Sequence, residues 1–168
     1  KKAYFVNYYV YLSCKTLHII SAIVLLGTGF GSAFYWFVTH WDIKRQKQKS
    51  LATLLSVTRW VVRADWYFTT PSVILQPLTG IYLAWGLGYG WQTLWLRWAI
   101  ILYIFAGLCW LPVVWIQIKM RNIVTQSYLE NKDLPRDYWR LQTYWTILGY
   151  AAFTVMLPLV VLMVFKPT

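Results

Sequence analysis

Long apolar stretches separated by short polar connections make up most of the chain. Four stretches could cross a hydrocarbon core of about 30 Å, which takes about 20 helical residues; they run from His18 to Phe37, Trp66 to Leu87, Trp95 to Gln117 and Tyr144 to Phe165. With their flanks, we expect spans of about 10–38, 64–87, 94–118 and 142–165. Short connections make neighbouring helices antiparallel. The pattern predicts an all-α membrane protein, an antiparallel four-transmembrane-helix bundle forming a single domain over residues 1–168.

Two segments outside the spans also have helical patterns. Residues 50–63 are amphipathic and precede the second span, which is typical of an interfacial helix or of a cytoplasmic extension of that span. The Leu134-Pro135 step predicts a turn before a short helix that leads into the fourth span.

Composition and charge placement agree with a membrane location. The chain is 59% hydrophobic and 12% charged, whereas soluble domains carry roughly 25% charged residues. The net charge of +11 would suggest nucleic acid in a soluble protein, but the basic residues fall in the first and third connections: Lys44, Arg45, Lys47, Lys49, Lys119, Arg121, Lys132, Arg136 and Arg140. By the positive-inside rule these connections are cytoplasmic. We therefore expect a multi-pass protein of a bacterial inner membrane with both termini periplasmic.

The expected partners follow from this location. The lipid bilayer is the first, other membrane subunits or a second copy of the chain are further candidates, and no nucleic acid is expected.

The second predicted span carries a polar stripe. Its polar residues recur at intervals of three and four, which places them on one helix face: Asp65, Thr69, Ser72, Gln76 and Thr79. Such a face must meet protein or a cavity, through interhelical hydrogen bonds or a bound ligand. Pro71 and Pro77 free backbone carbonyls on the same helix and are expected to kink it.

The two histidines lie on one predicted helix but cannot share an ion. His18 and His40 are 22 residues apart, or about 33 Å along a helix. His40 falls at the cytoplasmic boundary, where a solvated or interfacial side chain is expected. His18 lies inside the apolar run, where an ionisable residue indicates a functional site or a hydrogen-bonded packing residue.

Haem is the ligand that a single histidine in a membrane span suits best. One histidine suffices as an axial ligand, whereas copper or zinc would need further ligands that the sequence does not place nearby. Met156 and Met163 are candidates for the sixth position. Gly27, Gly29 and Gly31 follow His18 and would let a neighbouring backbone or a flat ligand approach.

Arginines near the spans are candidate anion ligands. Arg59 and Arg63 are four residues apart on one face and repel each other unless an anion lies between them. Phospholipid headgroups or haem propionates are the expected anions. Arg97 lies on the same predicted side of the membrane as His18 and is the more consistent propionate partner.

Three sequence segments resemble a known family. Lys15-Thr-Leu-His18-Ile-Ile resembles the first-helix segment of the HemJ-type membrane protoporphyrinogen oxidases, Phe68 to Gly80 (FTTPSVILQPLTG) looks like their second-helix TTP segment, and Val164-Phe-Lys166-Pro167 is similar to their C-terminal KP. The match is closer still to HemJ-related bacterial integral membrane proteins of unknown function, in which LHI and GTGFG, FTTP and CWLPVVWIQI recur. The third helix begins Trp95-Leu-Arg97-Trp-Ala, without the His and Lys of the HemJ-type proteins.

The resemblance implies a four-helix membrane protein whose His18 binds haem b. The residues that it and the pattern assign to the cofactor site are His18, Lys15, Thr69, Thr70, Pro71, Gln76, Arg97, Arg59 and Arg63. The expected role is redox or tetrapyrrole chemistry, as an oxidoreductase acting on a tetrapyrrole or passing electrons to a quinone or a partner. A non-catalytic structural subunit of a larger membrane complex is the alternative. Transport of copper or another ion is a third hypothesis, but the sequence lacks the metal-ligating residues that it would need.

Overall fold

The computed structural model describes residues 7–45 and 49–167, and they form helices joined by short turns. The helices are α1 (Tyr8–Arg45), α2 (Lys49–Ala64), a π-helical turn (Asp65–Thr69), α3 (Thr70–Gly86), α4 (Leu94–Leu129) and α5 (Arg136–Phe165). No strand occurs in these residues. The predicted all-helical class is therefore confirmed, although α1, α4 and α5 extend beyond the predicted spans. The short helix expected after Pro135 is the first part of α5, because the helix continues without a break.

Three of the described helices are long and apolar enough to cross a membrane. They are Tyr8–Ile43, Leu94–Leu129 and Arg136–Phe165. The predicted span 64–87 is not among them, since it comprises the π turn and the 17 residues of α3. Length and composition thus support three of the four predicted spans.

The amphipathic segment continues into the helix that was predicted as the second span. Ala64 and Thr70, on either side of the π turn, both have right-handed helical torsions, so α2, the π turn and α3 follow one another without a loop. α2 packs against α1 and α4. It buries Leu54 and Val61 and exposes Arg63. Of the two alternatives for residues 50–63, the helix extension is the one observed.

The π turn lies where a proline interrupts the helix. The Thr70 N–H donates to the Asp65 carbonyl, five residues earlier, and the Thr70 hydroxyl donates to the same oxygen at 2.9 Å. Pro71 has no N–H, and its ring would clash with the carbonyl four residues earlier in a regular helix. The wider turn relieves that clash, and such turns occur often at functional sites.

Pairs of helices pack in opposite directions. α4 packs along α5, and α1 packs along α2 and α3. Lys166 follows the end of α5 and lies 5.7 Å from the ring of Trp95 at the start of α4. Likewise, the first third of α1 contacts the second half of α3 through His18 and Thr79.

The most buried side chains lie at one end of the molecule, whereas many large apolar side chains are exposed on its surface. The side chains with almost no exposure are Trp36, Leu54, Met120, Val124, Tyr138 and Thr58. They come from the end of α1, from α2, from the second half of α4 and from the start of α5. Large apolar side chains such as Leu78, Leu108 and Val161 are exposed, as expected of a surface that contacts lipid.

An ion pair lies in the connection between α4 and α5. Lys132 Nζ is 2.7 Å from Glu130 Oε2, and both side chains are exposed. The hydrogen bond from Lys132 lowers the pKa of Glu130, and the same contact raises the pKa of Lys132. Because both groups are exposed, this pair contributes little to stability.

Candidate functional site

His18 is held between α1 and α3 with one ring nitrogen bonded. His18 Nδ1 is 2.7 Å from the Thr79 hydroxyl oxygen, and that hydroxyl donates to the Leu75 carbonyl at 2.6 Å. A hydroxyl has one proton, so Thr79 accepts from His18 Nδ1–H. The neutral imidazole then carries its lone pair on Nε2, which hydrogen-bonds to none of the side chains that the structure describes.

The His18 ring lies directly against Gly80 of α3. A Cβ at Gly80 would lie 3.2 Å from His18 Cε1, closer than ordinary van der Waals contact. A side chain at this position would therefore require the His18 ring or α3 to shift slightly. The Gln76 amide donates to the His18 carbonyl and to the Ser21 hydroxyl, both at 2.9 Å. These contacts fix the backbone as well as the ring of His18.

The polar stripe faces the protein interior, as its spacing predicts. Asp65, Thr69, Ser72 and Thr79 are buried and Gln76 is half-buried. The stripe divides into two parts. Gln76 and Thr79 contact α1 around His18. Asp65 and Thr69, in the π turn, line a cavity.

The cavity has a volume of about 380 Å³ and lies between α1, the π turn, α3, α4 and α5. Most of its walls are apolar or aromatic: Leu25, Phe30, Phe34, Phe37, Val73, Tyr103, Trp110, Val113, Trp145, Tyr150, Phe153 and Met156. Gly29, one of the three glycines that follow His18, also lines it, opposite the Phe153 ring. His18 is not a lining residue. The histidine and the cavity are therefore two separate places in the bundle.

A buried carboxylate lies at the polar end of the cavity. Thr69 donates to Asp65 Oδ1 at 2.8 Å, and the Gln117 side chain is a polar neighbour of the carboxyl. Asp65 and Gln117 are both buried. Among the described side chains, none forms an ion pair with Asp65. Sequence reasoning does not single out Gln117, although a polar residue in the apolar run of α4 is a signal for such a site.

Trp145 adds an unsatisfied donor to the cavity wall. Trp145 is 5% exposed, and its Nε1 has no hydrogen-bond partner among the residues that the structure describes. Its ring stacks on Trp36 with centroids 4.9 Å apart. Buried donors usually have an acceptor, so this N–H is a donor available to a group that enters the cavity.

Of the two expectations for His40, a solvated or an interfacial side chain, the solvated one is wrong. His40 is 5% exposed; its Nδ1 is 2.7 Å from the Trp36 carbonyl and its Nε2 is 2.7 Å from the Tyr138 hydroxyl. The ring stacks on Trp36 and on Tyr138. The reason is the start of α5, which packs over the end of α1 and excludes water. Tyr138, which sequence reasoning does not single out, is the residue that completes this cluster.

The other predicted site residues lie apart from one another. Lys15, Pro71, Arg97, Arg59 and Arg63 are exposed, and the Arg63 guanidinium lies 4.9 Å from the Trp60 ring centroid. Thr70 is half-buried and bonds to Asp65. Thr69 and Met156 line the cavity, whereas Met163 does not. Thus the structure joins His18 to Gln76 and joins Thr69 to Asp65, but it does not join all the predicted residues into one site.

The free thiols and acids do not form a metal cluster in the described part of the chain. No group of three or more His, Cys, Asp and Glu residues there could hold an ion. Cys109 is buried and Cys14 is half-buried, and both are free. The Cys14 thiol lies 3.8 Å from the Thr79 carbonyl, beside His18.

Comparisons with known proteins identify a family. Neither the curated proteins nor the solved structures include one that matches the chain. The model of DUF2269, described as a predicted integral membrane protein, matches residues 12–167. That match covers most of the chain, and the apolar helices agree with it. The chain belongs to the DUF2269 family of predicted integral membrane proteins.

Proposed function

We propose that the protein is a four-span protein of a bacterial inner membrane, with the π turn and α3 as the remaining span. Together these elements cover residues 65–86, or about 33 Å at 1.5 Å per residue. The exposed side of α3 is apolar, with Ile74, Leu78 and Ile81, and its polar side chains face inward. The basic connections then lie in the cytoplasm and both termini in the periplasm. Labelling of Gly90→Cys and Asp133→Cys in intact cells, each with Cys14 and Cys109 replaced by serine, tests this arrangement. Only the Gly90→Cys variant should react with an impermeant thiol reagent.

We further propose that His18 is the axial ligand of a haem b, in a redox or tetrapyrrole role of the HemJ type. One observation carries this proposal: Nδ1 of His18 is bonded to Thr79, while Nε2 lacks a partner among the described residues. Histidines that bind a metal commonly donate their other N–H to a fixed acceptor, which sets the tautomer and the ring orientation. Haem b, when bound, would supply one-electron redox chemistry.

The residues around His18 fit the role of holding such a ligand. Thr79 would orient the imidazole ring of His18, Gly80 would leave space for that ring, and Gln76 would fix the backbone of His18. Lys15 and Arg97 are exposed basic residues on the proposed periplasmic side and would be available to carboxylates such as propionates. The cavity near Asp65 does not reach His18, so it is not needed for this site.

A reduced-minus-oxidised absorption spectrum of the purified protein tests the proposal. Expression with added haem precursor should give a Soret band and a b-type α-band. His18→Gly should lose both bands, and free imidazole should restore them because it replaces the missing ring. Cys14→Ala is the matched control, one turn earlier on the same face, and should keep them.

Two results would contradict haem binding. One is a folded wild-type protein that stays colourless with full haem supply; the other is a His18→Gly variant with an unchanged spectrum. A colourless protein that co-purifies with other membrane subunits in fixed proportion would favour the alternative, a non-catalytic structural subunit of a larger complex.

A further inference from the structure

We propose that the cavity between the helices binds a lipophilic organic cation, with the positive charge beside Asp65. The proposal uses neither His18 nor a haem. It rests on the buried carboxylate, on the aromatic walls and on the space between them.

The Asp65 carboxylate is incompletely compensated. The polar groups beside it are neutral: Thr69 donates a hydrogen bond and Gln117 is a polar neighbour. No described cationic side chain pairs with it. An ionised group in an apolar interior is costly unless an opposite charge is close. A bound cation would offset that cost, whereas a neutral or anionic ligand would not.

The walls of the cavity suit a cation with an apolar body. Aromatic rings line it from three helices, among them Phe34 of α1, Trp110 of α4 and Phe153 of α5. Ring faces attract cations electrostatically, most strongly where water is excluded. Apolar walls would accommodate the hydrocarbon part of the ligand.

The cavity has the size of a small-molecule site. The carboxyl group of Asp65 lies in the π-helical turn. Pockets that hold small organic ligands measure about 300–1,000 Å³, and this cavity measures about 380 Å³. Asp65 is the first residue of the π turn and Thr69 the last, and both line the cavity. Ionisable residues in such membrane-protein interiors mark ligand or ion sites.

Binding of radiolabelled methyltriphenylphosphonium to the purified protein in detergent tests the proposal. We expect saturable binding of one cation per chain. Asp65→Asn should weaken it at least about tenfold, since it removes one partner of a buried charge pair. Asp65→Glu should keep most of the binding. Asp137→Asn, which changes an exposed acid, is the control for net charge and should bind like the wild type.

Two further measurements keep the test decisive if Asp65→Asn does not fold. Triphenylphosphine oxide has a similar apolar body without a charge, and on the wild type it should compete at least about tenfold more weakly than the cation. Gly107→Leu fills the cavity from α4, where a Cβ meets nothing within 4 Å, and should abolish binding. Equal competition by the neutral compound, or full binding by folded Asp65→Asn or Gly107→Leu, would overturn the proposal. Tighter binding of the neutral oxide, lost in Trp145→Phe, would instead identify the Trp145 N–H as the recognition group.

Discussion

His18 and His40 lie on the same helix, yet their surroundings differ in one decisive contact. Both donate from Nδ1, His18 to Thr79 and His40 to the Trp36 carbonyl. The Tyr138 hydroxyl then donates to the other nitrogen of His40. His18 Nε2 has no such partner in the described residues. The two imidazoles therefore have the same tautomer, and only His18 has a lone pair available to a ligand.

This difference separates a structural histidine from a candidate ligand more clearly than burial does. His40 is the more buried of the two, and burial alone would favour it as a functional residue. Its two hydrogen bonds and two stacked rings instead indicate a packing role. Half-buried His18 combines a fixed orientation with an unused nitrogen, which is the arrangement that coordination requires.

The largest effect is expected from His40→Ala. It removes two buried hydrogen bonds and leaves a gap between the Trp36 and Tyr138 rings, so we expect a loss of about 3–4 kcal/mol in the free energy of unfolding. His18→Ala removes one hydrogen bond of a half-buried ring and should cost about 1 kcal/mol. Unfolding by SDS in mixed micelles measures both. Equal losses would show that the two histidines are equally structural.

Tyr138→Phe isolates the contact that distinguishes His40 from His18. The ring and its stacking remain, but His40 Nε2 loses its donor in a buried site, and the expected cost is about 2 kcal/mol. The same unfolding assay measures it. In the double variant with His40→Ala the two losses should not add, because both substitutions remove the same hydrogen bond between the Tyr138 hydroxyl and His40 Nε2. Additive losses would mean that the hydroxyl has another important partner.

The sequence predicts the regular parts of this molecule and misses the parts that depend on distant packing. The helices and the inward polar stripe follow from apolar length and from three-and-four spacing, both local properties. The burial of His40 depends on Tyr138, 98 residues away in sequence, and no local pattern encodes that contact. The cavity depends on how far α1 lies from α4 and α5. The π turn could be anticipated only as a kink near Pro71.

Gly80→Ala should disturb the surroundings of His18 and leave those of His40 unchanged. The added Cβ would lie 3.2 Å from the His18 ring, so the ring or α3 must shift, at an expected cost of about 1 kcal/mol. Gly27→Ala is the control, because a Cβ there meets nothing within 4 Å. It should be neutral or stabilise by about 0.5–1 kcal/mol, since alanine favours the helix. A neutral Gly80→Ala would indicate that the His18 ring is free to move.

The smallest effect is expected from Trp145→Phe, which tests a third ring nitrogen in the same bundle. Like His18 Nε2, Trp145 Nε1 lacks a partner among the described residues, but it is a donor and cannot bind a metal. Phenylalanine loses part of the stack on Trp36 and also removes a buried unsatisfied N–H, and the two effects oppose each other. We therefore expect a change below about 1 kcal/mol in the SDS unfolding assay. A loss as large as that of Tyr138→Phe would show that the indole N–H does have an acceptor, such as an ordered water in the cavity.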